Sequence, residues 1–201
     1  MKVDELLALF KEHRRKKVFT LSDIITLADE RRSSVSVQLS RMAKARIVEN
    51  PLKGIYLNPF NIPSVEEIAM FMRDPCYLSM EYALSRSGIL SQEAFTLTLV
   101  TTRPPHRFVS PKNVFEYHQV KQDLFWGYRK DGHVLVADPE KALLDMIYIR
   151  YTRSRDRDER GILSLMDDMY LGDLDKDRLM EFGKRFDQRT LDILSKGLVI
   201  K

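Results

Sequence analysis

The sequence predicts an α+β fold in two parts, residues 1–60 and residues 61–201. Three observations carry that reading. Helix-period apolar patterns dominate the start of the chain, with only short extended runs between them. Several longer extended runs alternate with helical patterns further on, the arrangement of a small, mostly antiparallel sheet packed by helices. The charge balance also changes at the same place: residues 1–60 hold 12 Lys or Arg against 7 Asp or Glu, and residues 61–201 hold 21 against 22. A net of +5 followed by a net of −1 is what a polyanion-binding module joined to a neutral passenger would show. With 44% hydrophobic and 31% charged residues the chain has the composition of one that buries a core.

In the first part, Val3 to His13 places Val3, Leu6, Leu7, Leu9 and Phe10 close to one stripe of a helix. The basic run His13-Arg14-Arg15-Lys16-Lys17 interrupts the pattern, and Val18-Phe19-Thr20 is β-prone. Thr20 and Asp23 form a capping-box pattern for a second helix, Leu21 to about Ala28. A polar turn through Arg31-Arg32 leads to Ser33 or Ser34 as N-cap of a third helix, ending near Arg46. On that helix Val35, Leu39, Met42 and Ala43 share one face, and Ser36, Val37, Ser40, Arg41 and Lys44 share the other. Ile47-Val48-Glu49 and Gly54-Ile55-Tyr56-Leu57 then flank Asn50-Pro51-Leu52-Lys53 as a hairpin.

Helix, short strand, helix, helix, hairpin is the order of a winged helix-turn-helix. The polar face of the third helix has the chemistry of a major-groove reader. Serine hydroxyls approach phosphates and base edges, Arg41 reaches guanine, and Val37 can meet a thymine methyl group. A contact between domains would explain Val37 equally well. The expected double-stranded DNA contacts are Arg14, Arg15, Lys16, Lys17, Arg31, Arg32, Ser33, Ser34, Ser36, Val37, Ser40, Arg41, Lys44 and Lys53. The competing reading is a winged-helix protein-interaction module whose charges are a solvated face.

Asn58 to Pro63 reads as the joint between the parts. Ser64 and Glu67 give a second capping box before a helix from Val65 to Met72. Tyr77 to Ser87 is read as a helix with Gly88 at C′, and Phe95 to Thr102 as a strand stopped by Pro104-Pro105. Val114 to Val120 is a further strand, and Leu124 to Arg129 with His133 to Ala137 a hairpin. Asp138-Pro139-Glu140 supplies N-cap, N1 proline and first-turn acid for a helix to Tyr151. Helices over Gly161 to Tyr170, Asp175 to Phe186 and Arg189 to Lys196 complete the chain.

No catalytic, metal or cofactor pattern stands out. Asp167-Asp168 is the only Asp-Asp pair and suits a solvated helix face, and the four histidines lack zinc-site spacing. Cys76 is read as a buried structural thiol. The five arginines from Arg150 to Arg160 lie among acids, as a solvated loop or as further phosphate contacts. No run approaches the length of a membrane helix and the first ten residues lack a secretory pattern, so a cytoplasmic protein that does not enter membranes is expected.

Lys53-Gly54-Ile55-Tyr56 at the end of the winged helix, Tyr77-Leu78-Ser79, the strand Leu97-Thr98-Leu99-Val100-Thr101 and the stretch from Ala137 through Asp145 (Asp138-Pro139-Glu140-Lys141-Ala142-Leu143-Leu144) together resemble the AbiEi antitoxins of bacterial abortive-infection, type IV toxin-antitoxin systems. The resemblance implies an autorepressor that binds repeats in its own promoter through the winged helix. It also implies a second domain that supplies antitoxicity, and a neighbouring nucleotidyltransferase-like toxin that is countered without a required stable complex. It transfers no catalytic residue. A stand-alone winged-helix transcription factor with a ligand- or protein-binding second domain remains open, as does an enzyme with an unrecognised active site.

Overall fold

The structure, a computed structural model, describes residues 2–199. Residues up to Phe71, together with Val109–Lys112, form one compact unit, and the remainder forms a second.

The first unit begins with α1 (Val3–Glu12), β1 (Val18–Thr20) and α2 (Leu21–Ala28). Thr20 Oγ1 accepts the Asp23 N–H at 3.0 Å while the Asp23 carboxylate accepts the Thr20 N–H at 2.7 Å, so both halves of the expected capping box form. Asp29 ends the helix in the left-handed region (φ 48°), a conformation Asp tolerates better than most residues. Thr20→Ala is expected to cost about 1 kcal/mol, read as a lower urea midpoint at unchanged m-value. Next come α3 (Arg32–Lys44), β2 (Ile55–Leu57) and α4 (Val65–Met72). β1 and β2 pair antiparallel with Val18 opposite Leu57 and Thr20 opposite Ile55. The helices and this ribbon enclose Leu6, Phe10, Phe19, Ile24, Val35, Leu39 and Met42, with Phe10 and Phe19 edge to face at 5.1 Å. Burying each such side chain is worth about 1.5–3 kcal/mol.

Two sequence expectations are corrected in this unit. Ile47–Glu49 is not a strand; only the Glu49 carbonyl meets β2, accepting from Leu57 N–H at 2.9 Å. Pro51 has no N–H for a ladder, and Asn50 Nδ2 instead donates to the carbonyls of Leu52 and Ile55. The division between units falls after Phe71 rather than residue 60, because α4 packs with the first unit. Its Glu67 accepts from Lys17 Nζ at 2.5 Å and also completes the capping box with Ser64.

The second unit contains β3 (Cys76–Leu78), α5 (Met80–Arg86), β4 (Thr96–Thr101), β5 (His106–Val109, all but its last residue), β6 (Val114–Gln119), β7 (Tyr128–Asp131) and β8 (Val134–Ala137). α6 (Pro139–Ile147) runs on into a π turn over Tyr148–Thr152, and α7 (Glu159–Asp167), α8 (Lys176–Gly183) and α9 (Gln188–Val199) follow. The sheet has six strands in the order β5-β6-β4-β3-β8-β7. β3 is antiparallel to β4 but parallel to β8, and β4 is parallel to β6 while β7 and β8 form an antiparallel hairpin. The sheet is therefore mixed, not mostly antiparallel. α5 and α6 pack on each other, and α8 and α9 pack on α6.

Tyr77 and Leu78, expected at the start of a helix, are strand residues. All three residues of β3 are buried, and the helix starts only at Met80, ending with Gly88 in the left-handed region as expected. Leu124 lies in a 3-10 turn (Gln122–Leu124) rather than in the hairpin, which closes through Gly132-His133. Among the described residues no helix is long and apolar enough to cross a membrane.

Candidate nucleic-acid interface

From Arg31 to Val48 the chain carries no carboxylate. α3 starts two or three residues earlier than the sequence suggested: Arg31 is the N-cap, without a side-chain capping bond, and Ser33 and Ser34 lie in the first turn. Val35, Leu39 and Met42 are buried against the core, which turns the opposite face outward. Arg31, Arg32, Ser33, Val37, Ser40, Arg41 and Lys44 are exposed, and Ser34 and Ser36 are half-buried. Val37 is 52% exposed, unusual for a β-branched aliphatic residue on a packed helix. Arg31, Arg32, Arg41 and Lys44 have no ion-pair partner among the described residues. Arg41 and Lys44 sit where the helix dipole favours cations, whereas Arg31 and Arg32 sit at the positive end, where they cost stability until an anion arrives.

Lys53 is exposed in the turn before β2, next to Gly54 at φ 82°, a backbone position that suits glycine. The Gly54 carbonyl accepts the Leu21 N–H at 2.9 Å, tying this turn to the start of α2. The basic run lies beyond the other end of the ribbon. With Val18 opposite Leu57 and Thr20 opposite Ile55, the length of β1, about 10 Å at ~3.3 Å per residue, separates it from the Lys53 turn.

Two members of the run are already neutralised. Lys16 Nζ lies 3.1 Å from Asp23 and 5.3 Å from the Phe19 ring centroid, and Lys17 pairs with Glu67. Partial burial works against the Asp23 carboxylate, but the Thr20 N–H and the Lys16 ammonium outweigh it and hold its pKa below the ordinary value. Arg14 and Arg15 stay exposed. The structure thus places Ser33, Val37, Ser40, Arg41 and Lys44 on the face of α3 away from its core, leaves Arg31 and Arg32 exposed at its N-terminus, and keeps Arg14 to Lys17 at the far end of the ribbon from Lys53.

Sequence reading missed what holds that basic turn. Asn58, fully buried, donates from Nδ2 to the carbonyls of Phe10, His13 and Lys16 at 3.1, 3.3 and 2.9 Å, and its Oδ1 accepts the Phe60 N–H. Asn61 Nδ2 donates to the Arg14 carbonyl at 2.9 Å. The end of α1 is therefore capped from a segment nearly fifty residues away.

A second missed feature lies in the other unit. Lys141, Asp145, Tyr77 and Ser79 are all fully buried. Lys141 Nζ bonds Asp145 Oδ1 and donates to Tyr77 Oη at 2.9 Å; Tyr77 Oη and Ser79 Oγ donate to Asp145 Oδ2 at 2.9 and 2.8 Å. The ammonium lies 5.2–5.4 Å from the ring centroids of Trp126, Phe186 and Tyr77. Gly127 is required beside it, since a Cβ there would come within 2.8 Å of Lys141 Cγ. Burial pushes the Lys141 pKa down and the Asp145 pKa up, while each charge opposes the other's shift. With no exposed atom in the cluster, its chemistry is structural, a staple from α6 to β3. The available signal was the Glu140 to Ile147 run: all eight residues are buried, and a helix apolar on most sides takes its Lys and Asp inside with it.

The remaining candidates are dispersed. Arg150 pairs with Glu81 at 2.8 Å and lies 3.9 Å from Glu116, and Arg153 donates to the Gln119 carbonyl, whereas Arg155, Arg157 and Arg160 are exposed. Cys76 is buried, and burial pushes its thiol up to about 12, which leaves it unreactive. Among the described residues no three His, Cys, Asp or Glu side chains are grouped to hold a metal ion. No protein-family model matches the chain, and no curated protein matches it.

Proposed function

We propose that the chain is a DNA-binding transcriptional regulator whose first unit acts as a winged helix-turn-helix, with α3 as the recognition helix. The observation that carries this reading is the exposed surface of α3, where Arg41 and Lys44 share a face with Ser33, Val37 and Ser40, Arg31 and Arg32 stand at the N-terminus, and none of the four cations has a counter-charge among the described residues. A surface built only for solvation mixes both signs; one that meets a phosphate backbone carries an excess of Lys and Arg.

In the docking we propose, α3 enters the major groove of double-stranded DNA. Arg31 and Arg32, near the helix N-terminus, take phosphates on one side of the groove. Arg41 addresses a guanine edge, and Lys44 a phosphate. The Lys53 turn serves as the wing and contacts the backbone beside the groove. Arg14 and Arg15 fall outside this footprint, and Lys16 and Lys17 are spent on Asp23 and Glu67.

The resemblance to AbiEi antitoxins in Lys53 to Tyr56, Tyr77 to Ser79 and Ala137 to Asp145 supports a narrower form of the proposal. In that form the protein represses its own promoter at paired repeats, and the second unit counters a nucleotidyltransferase-like toxin without a stable complex. A stand-alone regulator would bind DNA identically and have no toxin neighbour.

The test is fluorescence anisotropy against the gene's own upstream region and a scrambled duplex at two salt concentrations. Selective, salt-sensitive binding is expected. Arg41→Ala should weaken it about tenfold or more. Lys44→Ala should flatten the slope of log affinity against log salt by about 0.9. Equal affinity for both duplexes, or variants indistinguishable from the parent, would overturn the reading and leave the first unit as a protein-binding module.

A further inference from the structure

α3 presents two chemically different readers one helical turn apart. Val37 has its methyl groups in solvent although Val35 and Leu39 on either side are fully buried, so its exposure is not a by-product of a loosely packed helix. Arg41 follows at i+4 with its guanidinium unpaired among the described residues. Residues four apart lie one above the other on a helix, on the same face. In helices that lie in the major groove, side chains three or four positions apart address successive base pairs. Between and beside the two stand Ser33, Ser36 and Ser40, too short to shield the valine or to compete with the arginine for a base edge.

An aliphatic side chain in the major groove has one apolar partner, the C5-methyl group of thymine, and a free guanidinium has its best partner in guanine N7 and O6. Resting on the proposed DNA-binding reading, we infer that the protein recognises a methyl-bearing pyrimidine in the base pair next to a G·C pair, with Val37 on the methyl group and Arg41 on the guanine. The specificity of this helix therefore resides in a step of two adjacent pairs, T·A and G·C. Cytosine methylated at C5 substitutes for thymine there, because it places the same methyl group at the same point of the groove.

The full chain is used to select bound duplexes from a pool with a randomised centre. The enriched sequence is then remade with deoxyuridine for thymine, one position at a time, which removes the methyl group and leaves every hydrogen-bonding atom in place. At one thymine, adjacent to a G·C pair, the change is expected to lower affinity about fourfold, the value of one buried methyl-sized group. Val37→Ala is expected to bind the thymine duplex about that much more weakly and to be indifferent to uridine. Val37 is a surface residue outside the core, so the variant keeps its fold, checked by an unchanged urea midpoint.

Enrichment of a motif with no uridine-sensitive thymine, or a uridine effect equally large in Val37→Ala, would overturn the Val37 assignment while leaving DNA binding intact. A uridine-sensitive thymine with no neighbouring G·C pair, or with one whose guanine tolerates 7-deazaguanine without loss, would overturn the paired step. A pool from which nothing is enriched would instead overturn the DNA-binding reading itself.

Discussion

Lys141→Met is expected to destabilise the second unit by about 3–5 kcal/mol, the usual cost of removing one partner of a buried ion pair. The side chain that remains explains the size. Asp145 keeps the hydroxyls of Tyr77 and Ser79 as donors but loses its counter-ion in a site closed by Trp126 and Phe186. Total stabilities of domains are about 5–15 kcal/mol, so much of the folded population of this unit is at stake. The double variant Lys141→Met with Asp145→Leu should recover most of the loss, because an apolar pair of similar volume escapes the desolvation cost altogether.

A pH series separates this account from a simple packing defect. Burial already raises the Asp145 pKa, and the Lys141 charge that opposes the rise is gone in the single variant. A carboxyl whose folded pKa exceeds its unfolded one stabilises most when protonated, so the contribution is lost as pH rises through the folded value. The stability deficit of Lys141→Met should therefore shrink on going from pH 8 to pH 5, measured by urea unfolding of each protein at each pH. A deficit independent of pH, or a double variant as unstable as the single one, would show that Lys141 acts through its hydrocarbon stem alone.

Asn58→Ala is expected to cost the first unit about 3 kcal/mol, since it removes the buried amide that the Phe10, His13 and Lys16 carbonyls share, leaving His13 only its bond from the Lys16 N–H. Asn58→Asp should be worse, because a carboxylate would face those same carbonyls with lone pairs instead of N–H groups. Hydrogen exchange makes the effect local: protection should fall first in the amides of the α1 C-terminal turn and β1, while β3 and β4 stay protected. Faster exchange spread evenly over both units would argue against the capping role.

What the sequence made legible was local. Thr20 with Asp23, Ser64 with Glu67, and Pro139 at the first turn of α6 each mark a helix start with groups three or fewer residues apart, and each helix is found there. The exposed and buried faces of α3 follow from its period for the same reason. Non-local pairing was not legible. β3 is three apolar residues running directly into a helix, and nothing in Cys76-Tyr77-Leu78 announces that β8 will lie alongside. β5 follows two prolines and faces solvent, so its residues show no alternation. Hairpin turns are the only strand pairings that leave a signature in sequence, which biased the expected sheet toward antiparallel. For the same reason Lys141 looked like a residue of a helix start, while Tyr77 and Ser79, the groups that make its burial tolerable, lie more than sixty residues earlier.

The position of β3 has a consequence for the growing chain. Its partners arrive at very different times: Leu99 of β4 follows Leu78 by 21 residues, but Val136 of β8 follows it by 58. Until β8 has left the ribosome, the middle of the sheet presents a bare apolar edge that no hairpin can close, whereas the α1 to α4 unit has nearly all of its core in hand by residue 71. Synthesis is thus split into an early cooperative step and a late one. A chain stopped between Lys112 and Val134 would carry a finished first unit and an open strand, the combination most prone to precipitate as paired edges.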